Sequence, residues 1–238
     1  MRTSGSRRKN LEAAVPYLKS VTTPHIIQLA IGRPENHAPA GEEPWITAIY
    51  RKPVSAAVFC TKLGFEGDQV ANRRVHGGPD KAVLCYGASN YPKWQADGLP
   101  AGPGGFGENL TIQGLDEETV CIGDVYRIGE VEAQVSQPRG PCNTLAHRWG
   151  RPDLVKVVKE NHRSGWYLRI LREGKIAPGD VVELVSRPHP AWNIAKTSEV
   201  NYSRNRSLED VRELAGLPEL SVNWRSDFEK KLGAMAGR

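Results

Sequence analysis

Between about residues 25 and 187, short apolar and β-branched runs are separated by glycine and proline, and within several runs apolar and polar positions alternate. That texture predicts a many-stranded sheet or barrel joined by turns, with helices in a secondary role. Two segments share one local pattern. Ile122-Gly-Asp-Val-Tyr-Arg-Ile128 and Pro178-Gly-Asp-Val-Val-Glu-Leu184 each place Gly-Asp before alternating apolar residues, a turn feeding a strand. Residues 131–135 alternate as well. Residues 45–50 and 55–59 are expected to be the two strands of an early hairpin, with Pro53 in its turn or at an edge. Over residues 153–159 the apolar spacing becomes helical, and Asp153, just after Pro152, is the expected N-cap of one helix covering the barrel.

After Arg187-Pro188-His189-Pro190 glycine thins out and helical spacing takes over, which places a boundary near residue 189. Ser207 with Asp210 three residues on is a capping-box variant, and Leu208, Val211, Leu214 and Ala215 line one face of the helix it starts, with Gly216 at its stop. Leu220, Trp224, Phe228 and Leu232 fall four apart on a last helix, with Trp224 expected in the core. So small a helical unit buries little surface alone and must dock on the barrel or on a partner. Trp192, Trp224 and Phe228 would serve either arrangement, and a homodimer is the expectation. The expected organisation is a flexible N-terminal extension over 1–24, a β-barrel domain over 25–188 and a small helical domain over 189–238. This is a mainly β fold with a few helices plus a small C-terminal α-helical domain.

Composition changes the picture only by exclusion. With 39% apolar and 25% charged residues the chain is globular in type, not disordered. A net charge of +5 is too small to argue for nucleic acid, and a basic pocket explains it equally well. No apolar stretch approaches the roughly 18 residues of a membrane span; the run at residues 26–31 is far too short. The basic opening with Arg2, Arg7, Arg8 and Lys9 lacks the apolar segment of a secretory signal. Cys60, Cys85, Cys121 and Cys142 are widely spaced with no CxxC pair, so free thiols and a cytoplasmic location are expected rather than disulfides or structural zinc.

Three loops carry the candidate chemistry. In Gly67-Asp68 through Lys81, the side chains of Arg73, Arg74, His76 and Lys81 surround a Gly77-Gly78-Pro79 turn. Glycine backbone and cationic side chains together favour a phosphate or another anion, and a solvated basic loop is the alternative. In Gln137-Pro138-Arg139-Gly140-Pro141-Cys142, two prolines brace a loop that presents Arg139 and then a thiol, with His147 and Arg148 close by in sequence. A cysteine beside cationic groups is a nucleophile or a soft-metal ligand, whereas most free cysteines are small buried hydrophobes, the reading kept for Cys60, Cys85 and Cys121. In Gly104-Gly105-Phe106-Gly107-Glu108-Asn109-Leu110, Glu108 and Asn109 could meet the edge of a pterin or purine, or only cap turns. The chain has no GxGxxG after a strand, no P-loop, no GxSxG and no HExxH.

Taken in order, Arg-Arg-x-His-Gly-Gly-Pro-x-Lys, Gly-Glu-Asn-Leu and Gln-Pro-Arg-x-Pro-Cys resemble the MOSC-domain family. With Val120-x-Ile122-Gly-Asp124, Ser164-Gly165-Trp166-Tyr167 and the helical tail, the chain resembles its YiiM-like branch over roughly residues 45 to 235. The resemblance implies a β-barrel that binds a molybdenum-pterin cofactor, with Cys142 as both metal ligand and catalytic residue. Arg73, Arg74, His76, Gly77, Gly78, Lys81, Glu108, Asn109 and Arg139 match the cofactor-binding positions. It also implies reduction of N-hydroxylated compounds such as N-hydroxylated purine bases, a detoxifying activity. A family-level association with pyridoxal phosphate comes with it. Lacking flavin, nicotinamide or iron–sulfur signatures, such an enzyme would take electrons from a separate flavoprotein or ferredoxin-type donor. Neither nucleic acid nor membrane is an expected partner. Two alternatives accompany this reading: a sulfur carrier or sulfurtransferase with a persulfide on Cys142, since MOSC domains resemble the tail of molybdenum-cofactor sulfurases, and a non-catalytic cofactor carrier. The first 24 residues match nothing in the family pattern.

Overall fold

The alternating segments pair into one large sheet. In the computed structural model, which describes residues 23–39 and 41–237, its strands in chain order are β1 (His25–Ile31), β4 (Lys52–Val54), β7 (Val83–Gly87), β8 (Leu110–Gln113), β9 (Val125–Ile128), β10 (Val131–Pro138), β11 (Trp166–Arg172) and β13 (Val182–Ser186). Their spatial order is β13-β9-β10-β11-β7-β8-β1-β4, antiparallel throughout except for the parallel pair β7–β8. The ends meet. His25 bridges Val181, and Ile26 N donates to Asp180 O at 3.0 Å while Val182 N donates to Pro24 O at 2.8 Å. Seven strands therefore close into a barrel, which removes the exposed edge an open sheet would leave. The barrel expectation holds. A smaller sheet, β12 (Gly174–Ile176) with β5 (Val58–Thr61) and β6 (Gly64–Phe65), and a two-stranded ribbon of β2 (Glu35–Asn36) and β3 (Ile46–Thr47) complete the β structure of the described residues.

The early hairpin does not form. Residues 45–50 contribute only β3, which pairs with β2, and residues 55–59 begin their strand only at Val58, which pairs with Ile176. Between them, Lys52–Val54 joins β1 at the edge of the large sheet, where Pro53 lacks an N–H that no further strand requires. The Asn36 side chain takes the amide of Trp45 at 2.9 Å and turns the preceding segment back on itself. Local alternation cannot announce such long-range choices.

Period-two geometry gives β7 two buried faces. Val83 and Cys85 point into the barrel core with Leu110, Val135, Trp166 and Leu168, whereas Tyr86 joins a second core outside the barrel. There Phe106 stacks on Tyr86 at 4.4 Å, and α1 (Asn90–Ala96), α2 (Asn143–Trp149) and α3 (Leu154–Asn161) close over them through Trp94, Leu145 and Val158. Three helices thus cover the barrel where one was expected. Asp153 does precede α3, but its carboxylate pairs with Arg151 at 2.7 Å and caps no amide.

The tail forms α4 (Ile194–Tyr202), α5 (Leu208–Gly216) and α6 (Val222–Ala236), capped by Asn193, Ser207 and Ser221, whose side chains accept from Lys196 N, Asp210 N and Trp224 N. It docks on its own barrel. Trp192, Trp224 and Phe228 are all buried in the barrel's core cluster, so none of them supplies a face for a second copy. Backbone bonds from Ile122 N to Trp192 O and from Ser221 N to Ser136 O stitch the two parts together. Asp124, of the first Gly-Asp turn, is fully buried and takes Arg187 through two bonds of 2.8 and 2.7 Å, together with Tyr126 Oη and Cys121 N. Because an ion pair with one partner removed leaves a buried charge unmatched, Asp124→Asn is expected to cost about 3 kcal/mol. In a thermal melt that loss lowers Tm by about 10 °C; an unchanged Tm would show that this buried pair does not stabilise the barrel.

Candidate functional site

The second core fixes a cavity. Its helix α2 begins immediately after Cys142, and Leu145 and Ala146 in its first turns are buried against Tyr86 and Phe106. Strand β10 ends at Pro138, where Arg139 N donates to Gly165 O at 3.0 Å. Gly165 must be glycine: its φ is +78°, and a Cβ there would lie 2.4 Å from Cys85 O. The cysteine loop is thereby held between β10, β11 and α2, at one wall of a cavity of about 880 Å³. That size suits a cofactor or a drug-sized ligand.

The structure brings most of the candidate residues to this cavity. Arg73, His76, Gly77, Gly78, Lys81, Asn109, Arg139 and Cys142 all line it. Gly77 and Gly78 both have left-handed φ, +75° and +87°, which turns the loop back beneath His76. Lys81 is partly held, its Nζ donating to Val75 O at 2.9 Å, and burial pulls its pKa down against the opposing charge of Asp80. Asp80 itself ties the loop to the scaffold, with Arg169 at 2.6 Å and the amide of Val222 at 3.2 Å.

Three candidates lie elsewhere or are already committed. Arg74 is exposed and does not line the cavity. Glu108 has no exposed surface, and its carboxylate accepts from Tyr91 Oη, Gly104 N, Phe106 N and Thr111 Oγ1. It staples the glycine-rich loop and offers nothing to a ligand. Asn109 reaches the cavity wall, yet Oδ1 takes Leu84 N and Nδ2 donates to Ala30 O, so its amide joins strands. His147 and Arg148 also turn away from the thiol. His147 stacks on Trp45 at 3.9 Å, and Arg148 donates to Ile49 O and Gly104 O.

Sequence reasoning missed a different pair. Arg51 grips Asp68 through two bonds of 2.8 Å and also donates to Gly107 O, fixing the loop that leads to His76. Asp68 stands in a recognised motif, but its partner lies 17 residues away without any local signal. Tyr167 also lines the cavity. Burial pushes its phenol up, against the nearby charges of Arg139 and Arg51, so it stays a proton donor at neutral pH.

Cys142 differs from the other thiols. Burial pushes Cys60 up to about 12 and raises Cys85 and Cys121, and all three are buried, as expected of structural cysteines. Burial acts on Cys142 in the same direction, but a hydrogen bond from His76, the charge of Arg139 and the amide of Leu145 outweigh it and bring the thiol down to about 6. It is a thiolate at neutral pH. Beside it, Arg139 is only 4% exposed, and its Nη1 has no hydrogen-bond partner among the described residues. A buried guanidinium in a cavity wall, with one nitrogen left unpartnered, suits an anionic ligand.

The MOSC domain model matches residues 72–183, and the model of the YiiM-like 3-alpha helix domain matches residues 192–233. The uncharacterized protein YflK of Bacillus subtilis (strain 168) is 39% identical over 207 residues, 87% of this chain and 93% of its own length. The chain belongs to the YiiM-like MOSC family. A protein named "Reductase" from Gibberella moniliformis (strain M3125 / FGSC 7600) is 36% identical over 86% of this chain, a match that occupies 37% of that protein. The crystal structure of YiiM from Geobacillus stearothermophilus superposes with a TM-score of 0.74 at 34% identity, covering 88% of this chain and 99% of that one. Within the family the matched MOSC residues include the whole His76–Arg139–Cys142 constellation.

Thiolate chemistry can be tested without any cofactor. Below a pH of about 6 Cys142 is protonated and slow to alkylate; above it the thiolate reacts, so iodoacetamide labelling of cofactor-free protein is expected to rise with a midpoint near 6. His76→Ala removes a hydrogen bond and a charge that hold the pKa down while burial stays, and the midpoint moves up. A midpoint that stays near the ordinary thiol value of 9.0 in the wild type would contradict this geometry.

Proposed function

We propose that this protein is a molybdenum-cofactor-dependent reductase that removes the hydroxyl oxygen of N-hydroxylated compounds, N-hydroxylated purine bases among them. The observation that carries the proposal is the juxtaposition of the Cys142 thiolate with the buried, unpartnered Nη1 of Arg139 in one large cavity. The donor set fits. A single soft thiolate suits a metal that arrives with its other ligands, and among the described residues no group of three His, Cys, Asp or Glu side chains forms a protein-only metal site. Arg139, with Arg73, Lys81 and the Gly77-Gly78 turn, suits the phosphate tail of a pterin. Membership of the MOSC family and the relative named a reductase support the same reading.

When bound, the cofactor supplies a two-electron metal centre that takes oxygen from nitrogen. The net reaction consumes two electrons and two protons: R–NHOH becomes R–NH2, and the oxygen leaves as water. Cys142 Sγ would hold the metal, kept deprotonated by His76 and Arg139. Tyr167 Oη, neutral in the cavity, would hold a proton for the departing oxygen. The electrons would come from a separate flavoprotein or ferredoxin-type donor.

The test is turnover of 6-N-hydroxylaminopurine by protein made in a host that synthesises the cofactor, with reduced methyl viologen as the electron source. Wild type is expected to form adenine, Cys142→Ser to lose at least about 100-fold in rate, and Arg139→Met to lose cofactor and activity together. No turnover by cofactor-loaded wild type would overturn the proposal. Sulfur transfer from a Cys142 persulfide in molybdenum-free protein would replace it with the sulfurtransferase reading.

A further inference from the structure

Exposed apolar side chains gather at the opening of the Cys142 cavity. Leu63, Ile46 and Val75 are 67%, 59% and 53% exposed, three of the four most exposed large hydrophobic residues among those described, and all three line this cavity. A side chain that is both exposed and part of a cavity lining stands at its mouth. Apolar residues scattered singly over a surface need no explanation, whereas a group of them around one opening marks a binding site.

Three separate segments deliver this rim, and each is held. Ile46 lies on β3, which pairs with β2, and the neighbouring Trp45 N donates to Asn36 Oδ1 of β2 at 2.9 Å. Leu63 sits in the turn between β5 and β6, where Lys62 N donates to Glu173 at 2.7 Å and Leu63 N to Thr61 Oγ1 at 3.2 Å. Val75 O accepts from Lys81 Nζ at 2.9 Å. The exposure of the rim is therefore built into the fold and is not the fraying of a loose end.

Two observations indicate what covers the rim. The apolar surface continues inward from it, since Trp45, Ile49 and Val70 line the same cavity and are buried or half-buried. A ligand that enters the cavity meets both parts of that surface, whereas a protein resting on the mouth meets the rim alone. The exposed charges within four residues of the rim positions also balance, Glu42, Glu43 and Glu66 against Lys62, Arg73 and Arg74, so no excess of either sign steers a protein partner there. Resting on the reductase reading, we propose that Ile46, Leu63 and Val75 select the substrate. They favour an N-hydroxylated compound with a flat apolar body over a small polar one that carries the same reacting group. Binding from covered apolar surface grows with its area, and a body several carbons larger gains about 10-fold or more from such contacts.

The test uses cofactor-loaded full-length protein and two amidoximes, benzamidoxime and acetamidoxime, which share one N–OH group and differ as phenyl from methyl. With reduced methyl viologen as the electron source, R–C(NH2)=N–OH takes two electrons and two protons and becomes R–C(NH2)=NH and water. In the wild type kcat/KM is expected to be at least about 10-fold higher for benzamidoxime. Leu63→Ser and Ile46→Ser are each expected to reduce that preference about three-fold, through KM. Both side chains are mostly exposed, so the substitutions leave the core packing alone. Without reductant, the methyl NMR signals of Ile46, Leu63 and Val75 are expected to shift saturably with benzamidoxime and to stay in place with acetamidoxime. A wild type without the preference, a preference that survives both substitutions, an equal loss with both substrates, or methyl signals that stay still while turnover proceeds would each overturn the proposal. If neither amidoxime turns over, the reductase reading falls, and the methyl signals still decide the rim: selective shifts uphold it as a site for flat apolar ligands, and silence overturns it.

Discussion

Arg139 is buried beside the Cys142 thiolate, with no carboxylate paired to it among the described residues, and the surrounding structure holds that arrangement in place. A buried guanidinium nitrogen without a hydrogen-bond partner among the described residues is costly even beside a thiolate, and a fold tolerates it only where the geometry around it is over-determined. Here Gly165 fixes the Arg139 backbone, α2 fixes Cys142 from the other side, and Arg51 with Asp68 fixes the loop that delivers His76. Each of these supports is itself buried or paired within the protein. The cation and the thiolate are left as the parts free to meet a ligand.

Two cores make this possible. A closed barrel alone has an outer surface that water reaches, and a thiol there would titrate as an ordinary one. Burying the outer face of β7 under α1, α2 and α3 backs the cavity with a packed core, of whose stacked aromatic rings Phe106 reaches the cavity wall. On the far side, Asp80 links the anion loop to Arg169 of β11 and to the start of α6, so the helical tail helps to position that loop. The tail is part of the site's framework, although none of its residues lines the cavity.

Much of this was legible in the sequence because the signals were local. The Gly-Asp turns feeding β9 and β13, the Ser207 cap and the rigid Pro138–Pro141 loop are each read within a few residues. The same holds for the arginine and cysteine that line the cavity. What stayed hidden depends on partners far apart in the chain. Asp124 finds Arg187, Arg51 finds Asp68, and Glu108 collects its donors from a helix, a loop and a strand. A glutamate in a glycine-rich loop looks like a ligand group until the fold shows four donors already pointing at it. The early hairpin failed for the same reason: residues 52–54 found β1, and alternation records a buried face without naming the neighbour.

The central claim is that Cys142 and Arg139 together hold a molybdenum-pterin cofactor, and molybdenum per chain measures it most directly. The measurement is elemental mass spectrometry on protein purified anaerobically from a host that makes the cofactor, beside a Cys142→Ser control. The account predicts a molybdenum content approaching one atom per chain in the wild type, falling to background in the serine variant. Wild-type protein that repeatedly carries neither molybdenum nor pterin, or a serine variant that keeps its full complement, would contradict it.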